Sequence, residues 1–217
     1  MLQPVLDLLS NVDIQLLLLA FFTSAVAGVF GFGGGMLLIA SLPNFLPPQA
    51  LVPVHTVVQL ASNVSRALFA LRYVQWRFFA AFAVGGLLGI VLFGLLYRVL
   101  ELRWLPAIIG FYILLNTWHE DFKRLFARLE SLPLLGALQT GVALFVGAPG
   151  PMAMPLLLKR LSDKHQIVAT MAIFMTFSHA VKLLFFLAIG FSFSEYYASM
   201  LWMVFAAVLG SYAGTAI

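Results

Sequence analysis

Long apolar runs alternate with short polar or Gly/Pro breaks along nearly the whole chain. Marking the breaks leaves apolar stretches at 14–30, 34–46, 51–71, 78–97, 104–118, 132–146, 150–158, 166–190 and 196–217. Continuous runs of this length predict helices, because β-barrel strands alternate apolar and polar residues. A bilayer core of about 30 Å needs about 20 apolar residues in a helix. Two stretches fall short of that: 34–46 gives about 20 Å of helix and 150–158 about 14 Å. Each follows a Gly/Pro cluster, Gly31-Phe32-Gly33-Gly34-Gly35 or Gly147-Ala148-Pro149-Gly150-Pro151. Broken helices at membrane depth occur only where the freed backbone lines protein or a watered cavity. The pattern therefore predicts an all-α polytopic membrane protein with two broken, re-entrant helix hairpins, each followed by transmembrane helices.

One polar segment, His119 to Glu130, interrupts the apolar sequence. Phe122, Leu125, Phe126 and Leu129 share one helical face there, which predicts a short interfacial helix joining two halves. The expected organisation is a first transmembrane repeat at 1–118, a cytoplasmic amphipathic linker at 119–131, and a second, inverted repeat at 132–217. The second repeat lacks a counterpart of the last span of the first, so the natural protein is expected to continue through at least one more crossing.

The repeat is visible at an offset of 116 residues. Gly31 then aligns with Gly147, Gly34 with Gly150 and Met36 with Met152. Without a gap, Ser62 aligns with Ser178, Asn63 with His179, Arg66 with Lys182, Phe69 with Phe185 and Gly94 with Gly210. Charge selects the topology. If 14–46 and 132–158 each crossed once, interhelical Lys and Arg would divide five against five. If each is a re-entrant hairpin, the division is eight against two, which the positive-inside rule strongly prefers. That arrangement puts the N-terminus outside and leaves three crossings between hairpins, so the second copy is inverted. Inverted repeats with broken helices near the midplane are typical of secondary transporters.

Composition narrows the field further. Of 217 residues, 63% are hydrophobic and 9% are charged, against roughly 25% charged in a soluble domain. A soluble enzyme and a nucleic-acid partner are excluded on this ground; the net charge of +4 comes from basic residues scattered in ones to threes. Cysteine is absent, so there is no thiolate metal site or disulfide. No phosphate-binding loop, zinc-protease helix motif or nucleophile elbow occurs, and nothing calls for a cofactor or a metal. The first apolar stretch lacks a basic n-region and is too long for a cleaved signal peptide.

Arg66 and Lys182 are the two charges inside expected crossings, at equivalent positions. A cation at the bilayer centre costs about 2.5–3.5 kcal/mol on the lenient insertion scale. Snorkelling or structural pairing competes with anion contact as the explanation. With no acidic residue inside any crossing, a permeating anion would supply the missing charge. Ser62, Asn63 and Arg66 share a face, as do Ser178, His179 and Lys182; Thr56 and Gln59 extend the first and Thr176 the second. The serines read as interhelical glue. Asn63 and His179 are candidate ligand contacts, and His179 could carry a coupling proton; sodium is the other coupling ion to consider.

At the first hairpin tip, Gly33, Gly34 and Gly35 could cradle an oxyanion with backbone N–H groups at a helix N-terminus. Tight helix packing is the competing explanation for these glycines. The second tip is poorer in donors because Pro149 and Pro151 have none, leaving Gly150 and Met152. The candidate substrate contacts are thus Gly33, Gly34, Gly35, Asn63, Arg66, Gly150, His179 and Lys182. The expected partners are a small anionic substrate and membrane lipid. A non-transporting membrane subunit that binds a partner protein is the second reading, disfavoured by loops of no more than about twelve residues. An enzyme ranks last, for want of an intramembrane carboxylate or nucleophile–base pair.

The run Ala27-Gly28-Val29-Phe30-Gly31-Phe32-Gly33-Gly34-Gly35-Met36, the Pro-containing loop behind it, Ser62-Asn63-Val64-Ser65-Arg66 and Tyr73-Val74-Gln75-Trp76-Arg77 together resemble the TauE/SafE family of membrane transporters, the sulfite exporters. The resemblance covers essentially the whole chain and is weaker in the second copy. Family members usually keep a glycine-rich second motif followed by Pro, where this chain has Gly147-Ala148-Pro149-Gly150-Pro151-Met152-Ala153-Met154-Pro155. That departure bears on substrate identity more than on fold. The resemblance implies about eight spans, multi-pass residence in a bacterial inner membrane, and movement of sulfite, sulfonates or related organic anions.

Overall fold

The computed structural model describes residues 14–150 and 152–215. Pro151 of the second tip, the N-terminal residues before Ile14 and the last two residues lie outside that set. All regular structure among the described residues is helical: α1 (Ile14–Phe30), α2 (Gly34–Ser41), α3 (Pro48–Phe69), α4 (Phe79–Tyr97), α5 (Leu105–Trp118), α6 (Glu120–Ala127), α7 (Leu132–Val146), α8 (Met154–Arg160), α9 (Lys164–Ala188) and α10 (Tyr197–Thr215). Among the described residues, three helical segments are long and apolar enough to cross a membrane: Trp76–Tyr97, Lys164–Ala188 and Phe193–Thr215. Helix α3 is as long, at 22 residues. It is less apolar because its inner face carries His55, Thr56, Gln59, Ser62, Asn63 and Arg66, all buried.

Helix boundaries follow local chemistry. Pro48 begins α3 and Pro133 lies in the first turn of α7, where a missing N–H costs nothing. Asp163 caps α9 by accepting from the His165 N–H at 2.8 Å, and Ser131 caps α7 by accepting from Leu134. The polar segment forms α6 as expected, with Glu120 and Asp121 in its first turn and Arg124 in its last, which suits the helix dipole. Phe122, Phe126 and Leu129 pack against the core. Leu125, expected on the same face, is instead exposed.

The strongest packing joins the sequence halves. Helix α4 lies along α7, α10 along α1, and α3 crosses α9. Small residues allow the first two contacts. A Cβ at Gly85 or Gly89 of α4 would fall 1.8 or 2.2 Å from the carbonyl oxygens of Pro133 and Ala137 in α7. At Gly210 or Gly214 of α10 it would fall 2.1 or 2.2 Å from those of Phe21 and Ala25 in α1. Both pairs have the i, i+4 spacing that lets membrane helices touch along their backbones. The outer surface is apolar: Leu87, Leu88, Val91, Leu92 and Leu95 of α4 are exposed. Trp76, Trp104 and Trp118 are exposed near helix ends, as expected of interfacial anchors. A face of leucines outside and amides, imidazoles and cations inside suits a lipid solvent.

Candidate functional site

The chain breaks between α1 and α2 at Gly31 and Gly33, with φ of 79° and 91°, and after α7 at Gly147 and Gly150, with φ of 70° and 82°. These left-handed values strongly favour glycine. Gly34 then packs beside Thr23: a Cβ there would lie 1.9 Å from the Thr23 carbonyl oxygen. The second break brings Ala153 back to Gln139, whose Oε1 accepts from the Ala153 N–H at 3.3 Å. The two breaks meet, since a Cβ at Gly35 would lie 3.2 Å from Ala148 Cβ, and one at Gly147 2.9 Å from Ile39 Cγ1.

Each buried cation serves the end of one broken helix. The Arg66 guanidinium donates from Nη1 to the carbonyls of Ala27 at 3.0 Å and Gly31 at 3.3 Å. Lys182 Nζ donates to the Gly147 carbonyl at 2.7 Å. The Gly31 and Gly147 carbonyls lack intrahelical donors and lie at the negative end of the dipole, while the Ala27 carbonyl also accepts from the Gly31 N–H at 2.9 Å. The structural pairing weighed against anion contact is therefore met, for both cations, by backbone carbonyls. The partner is backbone, made available where α1 and α7 stop.

Arg66 is nevertheless not saturated. Its Nη2 donates to Asn63 Oδ1 at 2.6 Å and its Nε to the Ser62 carbonyl at 3.4 Å. Four of the five guanidinium hydrogens are thus engaged, and the second Nη2 hydrogen has no acceptor among the described residues. Arg66 borders a cavity where the two breaks meet, walled by Gly31, Gly33, Gly35, Gln59, Asn63, Gly150 and His179 among others. The walls leave about 30 Å³ to the centre of a water molecule, room for one or two waters. Gln59 Nε2 and His179 Nδ1 are buried in this wall with no hydrogen-bond partner. The N–H groups of Gly34 and Gly35 open α2, where no intrahelical acceptor exists.

Six of the eight expected contacts therefore meet at one cavity: Gly33, Gly35, Asn63, Arg66, Gly150 and His179. Gly34 and Lys182 do not line it. Gly34 is needed for close packing on Thr23, and Lys182 is wholly buried on Gly147. The Asn63 amide is itself committed, with Nδ2 donating to the Gln59 carbonyl at 2.7 Å. Met152, expected as a donor at the second tip, gives its N–H to the Gly150 carbonyl at 3.0 Å. Ser62 bonds Ser211 and Ser178 bonds Thr140, both at 2.9 Å, so both serines join helices. Thr56 bonds its own helix at the Val52 carbonyl. Thr176 is partly buried with its hydroxyl unpartnered, away from the cavity wall.

Several residues of the site escape the sequence reading. His55 is fully buried, its Nε2 donating to the Gly35 carbonyl at 2.9 Å. Met36, Met171 and Met175 supply the apolar wall. Gln139 Nε2 donates to Met175 Sδ at 3.1 Å. The spacing of His55, Gln59, Asn63 and Arg66 on one stripe of α3 was the available signal for His55. The methionines and Gln139 carry none, because apolar runs hide which face is inside.

The family model described as sulfite exporter TauE/SafE matches residues 16–217. No curated protein and no solved structure matches the chain. A match over nearly the whole described fold, together with exposed apolar helices around a polar interior, shows that this chain is a membrane protein of the TauE/SafE family, a family of sulfite exporters.

Proposed function

We propose that the protein is a secondary transporter for a small anion, sulfite or a sulfur-containing organic anion, working by alternating access in a bacterial inner membrane. One observation carries this reading. The cavity joins the two helix breaks and presents an unengaged Arg66 hydrogen, the Gln59 amide, His179 and the opening N–H groups of α2. Donors outnumber acceptors there, and no carboxylate lines the wall, so the chemistry suits an oxyanion. Gly33, Gly35, Asn63, Arg66, Gly150 and His179 form its binding wall. Gly34 and Lys182 support that wall from behind.

The moving parts are two inverted repeats, 1–118 and 132–217, each opening with a re-entrant hairpin and joined by the cytoplasmic linker 119–131. The contact pattern supports this: α1 packs on the last helix of the other half, α10, and α7 packs on the equivalent α4. So do the equivalent cations, Arg66 on Gly31 and Lys182 on Gly147. A cavity of this size must widen to admit sulfite, which supports a cycle that passes through a closed stage. The coupling ion proposed for the cycle is a proton or sodium; a solute gradient or a separate subunit is the other source of energy to test.

The test is labelled sulfite flux into proteoliposomes, beside sulfate, an organosulfonate and acetate, with and without proton and sodium gradients. Arg66→Ala should cut saturable flux by at least about tenfold, as expected when a charged contact to substrate is lost, with membrane insertion retained. Wild-type flux in that variant would remove Arg66 from the site. Flux of no anion under any gradient would instead favour a non-transporting subunit.

A further inference from the structure

Behind the cavity lies a second buried pair of titratable groups. His55 of α3 and His179 of α9 have ring centroids 5.8 Å apart, tilted by 58°. They are 0% and 2% exposed, and the Nδ1 atom of each lacks a hydrogen-bond partner. A carbonyl only accepts, so the bond from His55 Nε2 to the Gly35 carbonyl puts the hydrogen of a neutral ring on Nε2. Nδ1 then carries a bare lone pair, buried and unused. A buried acceptor in that state calls for an explanation; His179 Nδ1, whose tautomer no bond fixes, is likewise buried without a partner across the helix crossing.

The position of the pair adds to this. His179 borders the anion cavity and His55 does not. His55 reaches the backbone of both helix breaks: Nε2 binds the Gly35 carbonyl, and a Cβ at Gly147 would lie 3.3 Å from Nδ1. The Gly147 carbonyl in turn holds Lys182. The pair thus touches the substrate wall on one side and the two tips on the other.

We infer that the His55–His179 pair binds the proton that moves with the anion, one proton per anion. The inference rests on the transport reading above. The proton enters through the cavity, binds the lone pair at Nδ1 of one ring without breaking the bond to Gly35, and leaves by the same atom on the other side of the membrane. The charged groups beside the pair are Lys182 of α9 and Arg66 of α3 itself. On the other elements packed against α3 and α9, Tyr112 of α5 donates to the Pro149 carbonyl, and Tyr97 of α4 is buried against Phe145, Phe185 and Phe186. Tyr73 stacks on His165, Tyr196 stacks on Phe191, and Arg72, Lys159, Arg160 and Lys164 are exposed. Helices α1, α2 and α7 contribute none; Tyr197 and Tyr212 of α10 are exposed, as are Arg103 and Glu195 in the turns packed on α3. No carboxylate faces the pair among the described residues. An anion in the cavity is the negative charge that a proton there would meet, so each binding favours the other by the same factor.

The experiment uses the full chain in proteoliposomes holding a trapped pH dye, with membrane voltage clamped. Methanesulfonate, which stays ionised, and sulfite, corrected with protein-free vesicles, are the probes. An inward anion gradient should acidify the lumen with about one proton per anion, and apparent anion affinity should weaken as pH rises, by up to about tenfold per pH unit. His55→Gln, which keeps a donor to the Gly35 carbonyl, should lower the proton-to-anion ratio at least tenfold. An unchanged ratio in His55→Gln overturns the inference. So does wild-type anion flux with no proton movement, which leaves the transport reading standing. Absence of all anion flux removes the transport reading, and the inference with it. If His55→Gln does not insert, the wild-type pH slope decides: affinity independent of pH refutes the proton site.

Discussion

Replacing Gly85 by alanine adds a methyl group where α4 and α7 touch, and the cost can be worked from the geometry. The new carbon would sit 1.8 Å from the Pro133 carbonyl oxygen and 2.5 Å from its carbonyl carbon. Carbon and oxygen rest about 3.3 Å apart in a close contact, so the helices must part by roughly 1.5 Å at that level. Both atoms met are backbone, and no rotamer change can relieve them. The contacts at Gly89 on Ala137 and Gly136 on Phe82 lie along the same seam and loosen together. Overpacking costs about 1–3 kcal/mol, and dispersion lost along the opened seam adds to it. Alanine recovers about 1 kcal/mol of helix propensity, leaving a net loss of up to about 2 kcal/mol before the lost dispersion is added. Gly110→Ala in α5 is the control, since nothing lies within 4 Å of a Cβ there and the same propensity gain should be uncovered. Thermal unfolding in detergent, followed by helical circular dichroism, should melt Gly85→Ala below wild type and Gly110→Ala at or above it. Equal melting of the two variants would refute backbone contact as the basis of the seam.

Gly35→Ala should act on the cavity rather than on the fold. Its Cβ would lie 3.0 Å from Gln59 Oε1 and 3.2 Å from Ala148 Cβ, so anion flux in proteoliposomes should fall about tenfold or more, consistent with crowding a preformed site. The melting temperature should stay within about 2 °C of wild type; a melting loss as large as that of Gly85→Ala would contradict this division. At the surface, Lys159 donates to Glu130 Oε1 at 3.0 Å, and this bond, with the ammonium charge, holds the Glu130 carboxyl below the usual carboxylate range. A folded-state value below the unfolded one means the stabilisation is present above the ordinary carboxylate value of about 4.3. It is lost as pH falls through the folded value. NMR titration of labelled glutamate should place Glu130 low in wild type and back in the ordinary range in Lys159→Met; no change between them would sink the assignment.

The helical class and the two breaks were legible in the sequence because lipid imposes long apolar runs and leaves Gly/Pro clusters conspicuous. Arg66 and His179 were legible for a similar reason, since an ionisable group within such a run stands out against its neighbours. The polar segment around α6 was readable as an amphipathic helix, although the exposure of Leu125 was not. The same-face count put Leu125 with Phe122 and Phe126, but α6 offers only part of that face to the core.

The partners of the buried charges were out of reach. Nothing in the order of residues says that the carbonyls of Gly31 and Gly147 are uncommitted, because every backbone has such groups and only a helix ending at that point frees them. The same limit separated Gly34, used for packing on Thr23, from Gly33 and Gly35 beside the cavity. It also hid the pairing of His55 with His179, residues far apart in the chain that meet where α3 crosses α9. Residue chemistry and its period along the chain determine which segments enter lipid and which residues are costly there. Which of those residues face one another depends on helix crossings, and these are set by how closely glycines such as Gly85 and Gly210 let distant backbones approach.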